Sequence, residues 1–455
     1  MNKYIYVLLI AATFQACSSK PATDASDTKP ATSTVTFPEK IADGTIYEVN
    51  IRQHTAQGTI NAFIKDLPRL KKLGIKTLWI MPAQPIGVKN RKLPLGSYYS
   101  ISDYRKVNPE FGTDADFKNL VSETHALDMY VILDWVPNHT AWDHPWVTAH
   151  PEYYAHDVKG NIAHEADWDD IALLDHTHPA VRAAMIDEMK YWVTNFDIDG
   201  FRCDHAGHEI PLYFWEEARA AIDPVKNLFW LAEWEGARMH LEFDGTYAWG
   251  LLHLTDKFKK GEANANDVDK WINEDLKEYG QKPFRLTMIT NHDENSWQGT
   301  EFERYGEGVK TFATFIFTAY GAPMLYSGQE VGLDKRLKFF SKDTINWSDP
   351  KQFQPFYKKL VSLHTENKAL WAGQYGAMPV RINGPEDTFV YAFNRTKENN
   401  TVIGILNMSD KTQDFHLTDS GSAGSYNDYF SGERFEISTS KALKLSPWQY
   451  LIFVK

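Results

Sequence analysis

Tyr130–Asp134 reads YVILD, a short run with strand character stopped by a carboxylate. The same ending returns in Gly200–Asp204 (GFRCD), Leu228–Glu233 (LFWLAE) and Leu286–Asp293 (LTMITNHD). Ile46–Ile51 (IYEVNI), Thr77–Met81 (TLWIM) and Pro323–Tyr326 (PMLY) have the same length and the same β-branched or aromatic content. Strands are therefore expected at Ile46–Ile51, Thr77–Met81, Tyr130–Leu133, Gly200–Cys203, Leu228–Leu231, Leu286–Thr290 and Pro323–Tyr326. Amphipathic stretches lie between them. Ile60–Leu73 places Phe63, Ile64, Leu67, Leu70 and Leu73 on one helical face. Pro179–Phe196 opens with a proline and repeats apolar residues at three- and four-residue steps. Strand and helix in alternation imply a parallel sheet, which eight repeats close into a (β/α)8 TIM barrel over residues 41–370. Seven strands are clear. The sixth is expected near Leu241–Asp244. After about Trp371 the pattern changes to FVYAFN, TVIGILNM and YLIFV separated by turns, so residues 371–455 read as a C-terminal all-β sandwich domain.

A carboxylate directly after a buried strand is costly to desolvate unless it faces a cavity. In a barrel the C-terminal strand ends form the mouth of the active site. Asp134, Asp204, Glu233 and Asp293 are thus expected to converge, flanked by His139, Arg202 and His292. Any one of these acids alone suits a helix N-cap; four of them suit a site. Glycoside cleavage needs such a set, one carboxylate as nucleophile and a carboxylic acid to protonate the leaving oxygen. Arg202 shares the strand face of Asp204 and is expected to keep it ionised, which marks the nucleophile. Glu233, between Ala232 and Trp234, has an apolar setting that raises its pKa and retains the acid's proton. Asp197 and Asp199 precede their strand and Glu235 lies beyond its end, so they fit less well. Cys203 faces the other way and reads as a buried small hydrophobe.

These segments resemble the α-amylase family, glycoside hydrolase family 13. Asp134–His139 (DWVPNH), Gly200–His208 (GFRCDHAGH), Leu231–Glu233 (LAE) and Thr290–Asp293 (TNHD) resemble its four conserved regions, in order, at the ends of strands three, four, five and seven. Gly96–Tyr104 (GSYYSISDY) and Leu325–Gly332 (LYSGQEVG) resemble the stretches after strands two and eight. The resemblance implies a retaining hydrolase acting on α-glucosidic bonds of starch-like glucans or maltooligosaccharides. It implies Asp204 as nucleophile, Glu233 as general acid/base and Asp293 as transition-state stabiliser. Arg202 would orient Asp204, His139 and His292 would hydrogen-bond the sugar, Tyr99 would stack beneath it, and Asp134 would position its neighbours. A transglycosylase or glucosyl isomerase would use the same acids. An inactive glucan-binding subunit usually loses one of them, and this chain keeps all three.

Acidic residues number 60 against 48 basic ones, a net charge of −12 that argues against a nucleic-acid partner. Two cysteines, Cys17 and Cys203, exclude a disulfide framework. Aromatic residues make up 14% of the chain, a content that suits stacking on sugar rings as well as core packing. At the N-terminus a short positive start precedes the apolar run Tyr4–Phe14, too short for the roughly 20 residues of a membrane span. Ala16 then precedes Cys17. Residues 1–17 resemble a bacterial lipoprotein signal, with Cys17 lipidated. Residues 18–40 follow as a flexible tether, with no aliphatic or aromatic residue before Val35 apart from Ala. The expectation is an exported enzyme held to a membrane by one lipid, facing the periplasm or cell surface.

Residues 140–178 are too long for a simple loop and read as a small inserted domain. His164, Glu165, Asp167, Asp169, Asp170, Asp175, His176 and His178 match no zinc spacing there, so solvated cleft rim is the expectation. Trp142, Trp146, Tyr153, Tyr154 and Trp168 are its candidate sugar platforms. Many relatives hold a structural calcium beside this insertion. Asn138 matches one of its ligand positions and His208 a position that lends its backbone carbonyl, but Leu173 stands where the resemblance places an aspartate, and an isobutyl group offers calcium no oxygen. Asp169 or Asp170 would have to substitute. No cofactor is expected, and calcium is expected to be dispensable.

Overall fold

Alternate residues of each central strand enter two different cores, and that split generates the architecture. In the computed structural model, which describes residues 35–455, eight parallel strands close into a barrel. They are β1 (Ile46–Val49), β2 (Thr77–Ile80), β3 (Tyr130–Trp135), β4 (Gly200–Cys203), β5 (Phe229–Ala232), β6 (Gly245–Tyr247), β7 (Phe284–Thr287) and β8 (Ala322–Tyr326). Each pairs with the next in the chain, and β8 with β1. Ile46, Trp79, Ile132, Phe229, Leu231, Leu286 and Met324 fill the barrel interior. Their neighbours Tyr47, Leu78, Val131, Leu133, Phe201, Cys203 and Trp230 face the helices outside. Cys203 is fully buried in that outer layer, as its strand parity requires. The period of two is thus read twice, inward and outward.

Gly200 opens β4 because no side chain fits there. A Cβ would lie 2.1 Å from the Phe229 carbonyl oxygen. Pro179–Phe196 forms one helix, as its periodicity indicates. Ile60–Leu73 does not: it splits into helices Ile60–Ile64 and Leu67–Leu73. Pro68 cannot donate to the Ile64 carbonyl and its ring crowds it. β1 stops at Val49, short of Ile51, because Asn50 caps the helix Ile51–His54 by accepting from the Gln53 N–H. β6 lies beyond the expected Leu241–Asp244. Residues 237–241 instead form a 3-10 turn, and the Asp244 carboxylate accepts the Trp230 N–H at 2.9 Å. Three residues opened by a glycine are too short to display alternation. β7 ends at Thr287 rather than Thr290, opposite Pro323 of β8, which has no N–H to extend the ladder.

After β3, His139–Ala141 pairs antiparallel with Ile171–Leu173, and residues between them form the insertion. Beyond the barrel, six strands form an antiparallel sheet in which Val390–Lys397, Asn400–Asn407 and Tyr450–Val454 lie side by side. Val390, Ala392, Ile403 and Ile405 pack with Phe415 and Leu445 of a two-stranded sheet on one face. Tyr391, Phe393 and Leu406, of opposite parity, join the barrel's outer core, so Thr36–Lys455 is one compact unit. Much of the aromatic content is structural: Trp79, Trp135, Trp192, Trp215 and Trp230 are among the largest fully buried side chains. Among the described residues no helix is long and apolar enough to cross a membrane. Residues 1–34, with the leader, Cys17 and most of the tether, lie outside the described residues.

Candidate active site

Sheet register places the charges. Asp134 on β3 is the in-register partner of Arg202 on β4, and Arg202 in turn pairs with Leu231, two residues before Glu233. All three positions have inward parity at the C-terminal end of the barrel. Asp134 belongs to β3 itself and does not follow it. Arg202 is fully buried, and its Nη1 donates to Asp134 Oδ1 and Asp204 Oδ1, both at 2.9 Å. Nη2 forms an ion pair with Glu233 Oε1 at 2.6 Å without hydrogen-bond alignment, and Nε donates to the Tyr247 hydroxyl at 3.1 Å. One guanidinium therefore serves three carboxylates, not Asp204 alone. Trp79 Nε1 and the Tyr99 hydroxyl donate to the remaining Asp134 oxygen at 3.0 and 3.1 Å. Asp134 has no exposed surface and is saturated by donors, which suits positioning rather than chemistry.

The acids respond to burial. Desolvation pushes Asp204 up to about 6 and Glu233 up to about 7, in each case against the pull of Arg202. Arg202 thus limits the rise at Asp204 and does not hold it in the ordinary carboxylate range. Glu233 owes its higher value to desolvation, as its apolar neighbours indicate, and keeps it in spite of an adjacent cation. Its Oε2 accepts the His205 N–H at 2.9 Å. Asp293, six residues beyond β7, keeps 40% of its side chain exposed to the cleft. His292 lies 3.3 Å from Asp293 Oδ2 and bonds Glu48 Oε1 through Nδ1. Burial opposes its charge, but Asp293 and Glu48 outweigh burial and hold it up at about 9, so it is a cation at neutral pH. His139 contrasts with it. Burial pushes it down to about 3, and its Nε2 contacts the Tyr99 carbonyl at 3.1 Å.

Tyr99 stacks on His292 at 5.4 Å and on Phe339 at 6.2 Å, forming an aromatic wall that Trp297 extends. This wall and the acids Asp204, Glu233 and Asp293 line a cleft of about 560 Å³, with His139, His205, His292, Phe340 and Trp168. Such a cavity is the size of a small-molecule site. Of the insertion's five candidate platforms, only Trp168 lines it. Trp146 packs on Tyr104 and Tyr153, Tyr154 is buried, and Trp142 Nε1 donates to the Asp169 carbonyl. Glu235 and Asp199 lie apart from the cleft, paired with Arg285 and with His125 and Lys226. Glu48, Trp79, Tyr247, Trp297 and Phe339 complete the site without having been marked by sequence. Glu48 did carry a signal, as a lone acid inside an apolar strand.

Leu173 is buried in the hairpin opposite His139. Asp169 and Asp170 are drawn to Lys92, at 3.3 and 3.4 Å, and do not replace it. The Asn138 amide donates toward His139 Nδ1 at 3.3 Å, and the His208 ring meets Glu165.

Residues 35–169 match the family model described as "Alpha amylase, catalytic domain". Alpha-amylase 2 of Dictyoglomus thermophilum is 25% identical over 435 residues, 88% of this chain and 71% of that protein. Alpha-amylase MalA of Haloarcula japonica is 26% identical over 81% of this chain, which spans only 56% of that protein. In three dimensions the chain is similar to a noncanonic maltogenic alpha-amylase, AmyB from Thermotoga neapolitana. The TM-score is 0.84 at 29% identity, covering 91% of this chain and 99% of that one.

Proposed function

We propose, on the premise that this chain belongs to the α-amylase family, glycoside hydrolase family 13, that it cleaves α-glucosidic bonds in α-glucans or maltooligosaccharides with retention of configuration. The observation that carries this reading is Arg202 holding Asp204 and Glu233 together at the floor of an aromatic cleft. Burial raises both acids, but Arg202 donates a hydrogen bond to Asp204 and none to Glu233, which favours the carboxylate at Asp204 and leaves the proton to Glu233.

The Asp204 carboxylate attacks the anomeric carbon as Glu233 gives its proton to the departing glycosidic oxygen. The C–O bond breaks and a β-linked glycosyl ester forms on Asp204. Glu233, now a carboxylate, takes a proton from water, whose oxygen displaces Asp204 and restores the α-configuration. Asp293 lies beside the protonated His292 and, as an acceptor, holds sugar hydroxyls as positive charge develops on the ring. Tyr99 offers its face to the same ring.

Freshly released sugar followed by proton NMR is expected to be the α-anomer. Initial β-product excludes double displacement. A product profile on amylose, pullulan and maltotriose separates hydrolysis from transfer, since products longer than the substrate identify a transglycosylase. For residues 1–34, the reading remains a lipidated Cys17 on an exported chain. Fatty-acid labelling that Cys17→Ala abolishes supports it.

A further inference from the structure

The loop after β4 carries two histidines whose imidazole rings have no part in the proposed sugar reaction. Together with Glu165 of the insertion, His205 and His208 bring three ligand atoms within 4.8 Å of one another. Glu165 Oε1 meets His208 Nε2 at 2.6 Å, and the two imidazoles lie edge to face at 4.4 Å between centroids. A simple Glu165–His208 ion pair accounts for two of these groups. It leaves out the third: His205 Nε2 is buried and has no hydrogen-bond partner, with the rings of Trp168 and Trp234 on either side at 5.5 and 6.0 Å. A buried ring nitrogen without a partner is costly, and a cation beside it removes the cost.

We propose that Glu165, His205 and His208 bind a divalent transition cation, zinc in particular. Two imidazole nitrogens and one carboxylate oxygen form a three-ligand zinc set, with water in a fourth position. The same set is wrong for calcium. Zinc–ligand bonds of about 2.0–2.2 Å require the ion to take the place of the proton between Glu165 Oε1 and His208 Nε2, which part from 2.6 Å, while His205 closes in. The Asn138 amide, 3.5 Å from Glu165 Oε2, is placed to steady the carboxylate from outside. The zinc would tie the insertion to the loop whose His205 N–H holds Glu233, and so fix the acid's position. No local spacing announces the set, because forty residues separate Glu165 from His205 and the fold joins them.

The site's affinity is independent of the sugar reaction, and the test reads metal directly. Untagged protein is stripped with chelator and titrated with zinc by calorimetry, and with cobalt by visible absorption. One equivalent of zinc is expected, with intense cobalt bands from a low coordination number. His208→Gln and Glu165→Gln should each weaken binding about 100-fold while leaving the metal-free melting curve unchanged. X-ray absorption of the wild-type zinc form should count two imidazoles, a readout that needs no variant. Absence of saturable binding overturns the proposal, as do fewer than two imidazoles or affinity unchanged in both variants.

Discussion

Two levels of the same barrel interior, one strand step apart, have opposite chemistry. At the lower level Ile46, Ile132, Phe229 and Met324 fill the lumen with hydrocarbon. Two residues further along the same strands stand Glu48 and Asp134, with Arg202 beside them, all buried. Parity and register are identical in both levels. What differs is that the upper level lies directly beneath the cleft-lining acids Asp204 and Glu233, so its charges meet theirs instead of being crowded by hydrocarbon. Burial that stabilises the lower level raises the pKa of Asp134 in the upper one, against the pull of Arg202 and His292.

The sharpest separation of the two levels comes from the acids. Asp204→Asn, Glu233→Gln and Asp293→Asn should each lower turnover by several orders of magnitude, with the melting temperature nearly unchanged. Retention of more than about a tenth of wild-type turnover by any of them breaks its assignment. Arg202→Met should erase the distinction between levels, removing activity and costing about 3–5 kcal/mol of stability by leaving buried carboxylates uncompensated. Those carboxylates then have folded pKa values further above their unfolded ones. The loss should therefore grow as pH rises through the acid range and shrink at low pH, as urea melts at several pH values would read. In the lower level Ile132→Ala should cost about 2–5 kcal/mol with turnover changed only a few-fold. A large effect on turnover would show that the two levels are mechanically coupled.

A smaller effect is the pH profile. kcat/KM should fall below about pH 6 as Asp204 gains a proton, and above about pH 7 as Glu233 loses one, giving a narrow bell. An alkaline limb unchanged by moving to a substrate that needs no acid, such as a glycosyl fluoride, contradicts the role of Glu233. The smallest expected effect is that of calcium. Added to chelated protein, calcium should move neither activity nor melting temperature, and recovery of several degrees would show that oxygen ligands assemble around Asn138 after all.

Most strands were legible because each is a local event: an apolar run with an acid at or just beyond it needs no knowledge of the fold, although the ends of β1, β3 and β7 fall elsewhere than the runs suggest. β6 was not, being three residues opened by Gly245. The break at Lys65–Asp66 was hidden because the apolar stripe continues through it, although Pro68 was there to be read. Trp297, in the helical turn Glu294–Gln298 after β7, and Phe339, in the loop after β8, carry no periodicity and meet only in the fold.

By itself the sequence determined the alternation that makes a barrel, the side of each strand that faces inward, and which carboxylates end up at the mouth. Those are consequences of periods of two and 3.6 residues, written along neighbouring positions. Only the tertiary structure decided that one guanidinium serves Asp134, Asp204 and Glu233, that Glu48 and Asp293 hold His292 charged, and that Glu165 faces His205 and His208. Electrostatic interaction depends on distance through a low dielectric, and that distance is set by register and loop path between residues far apart in the chain.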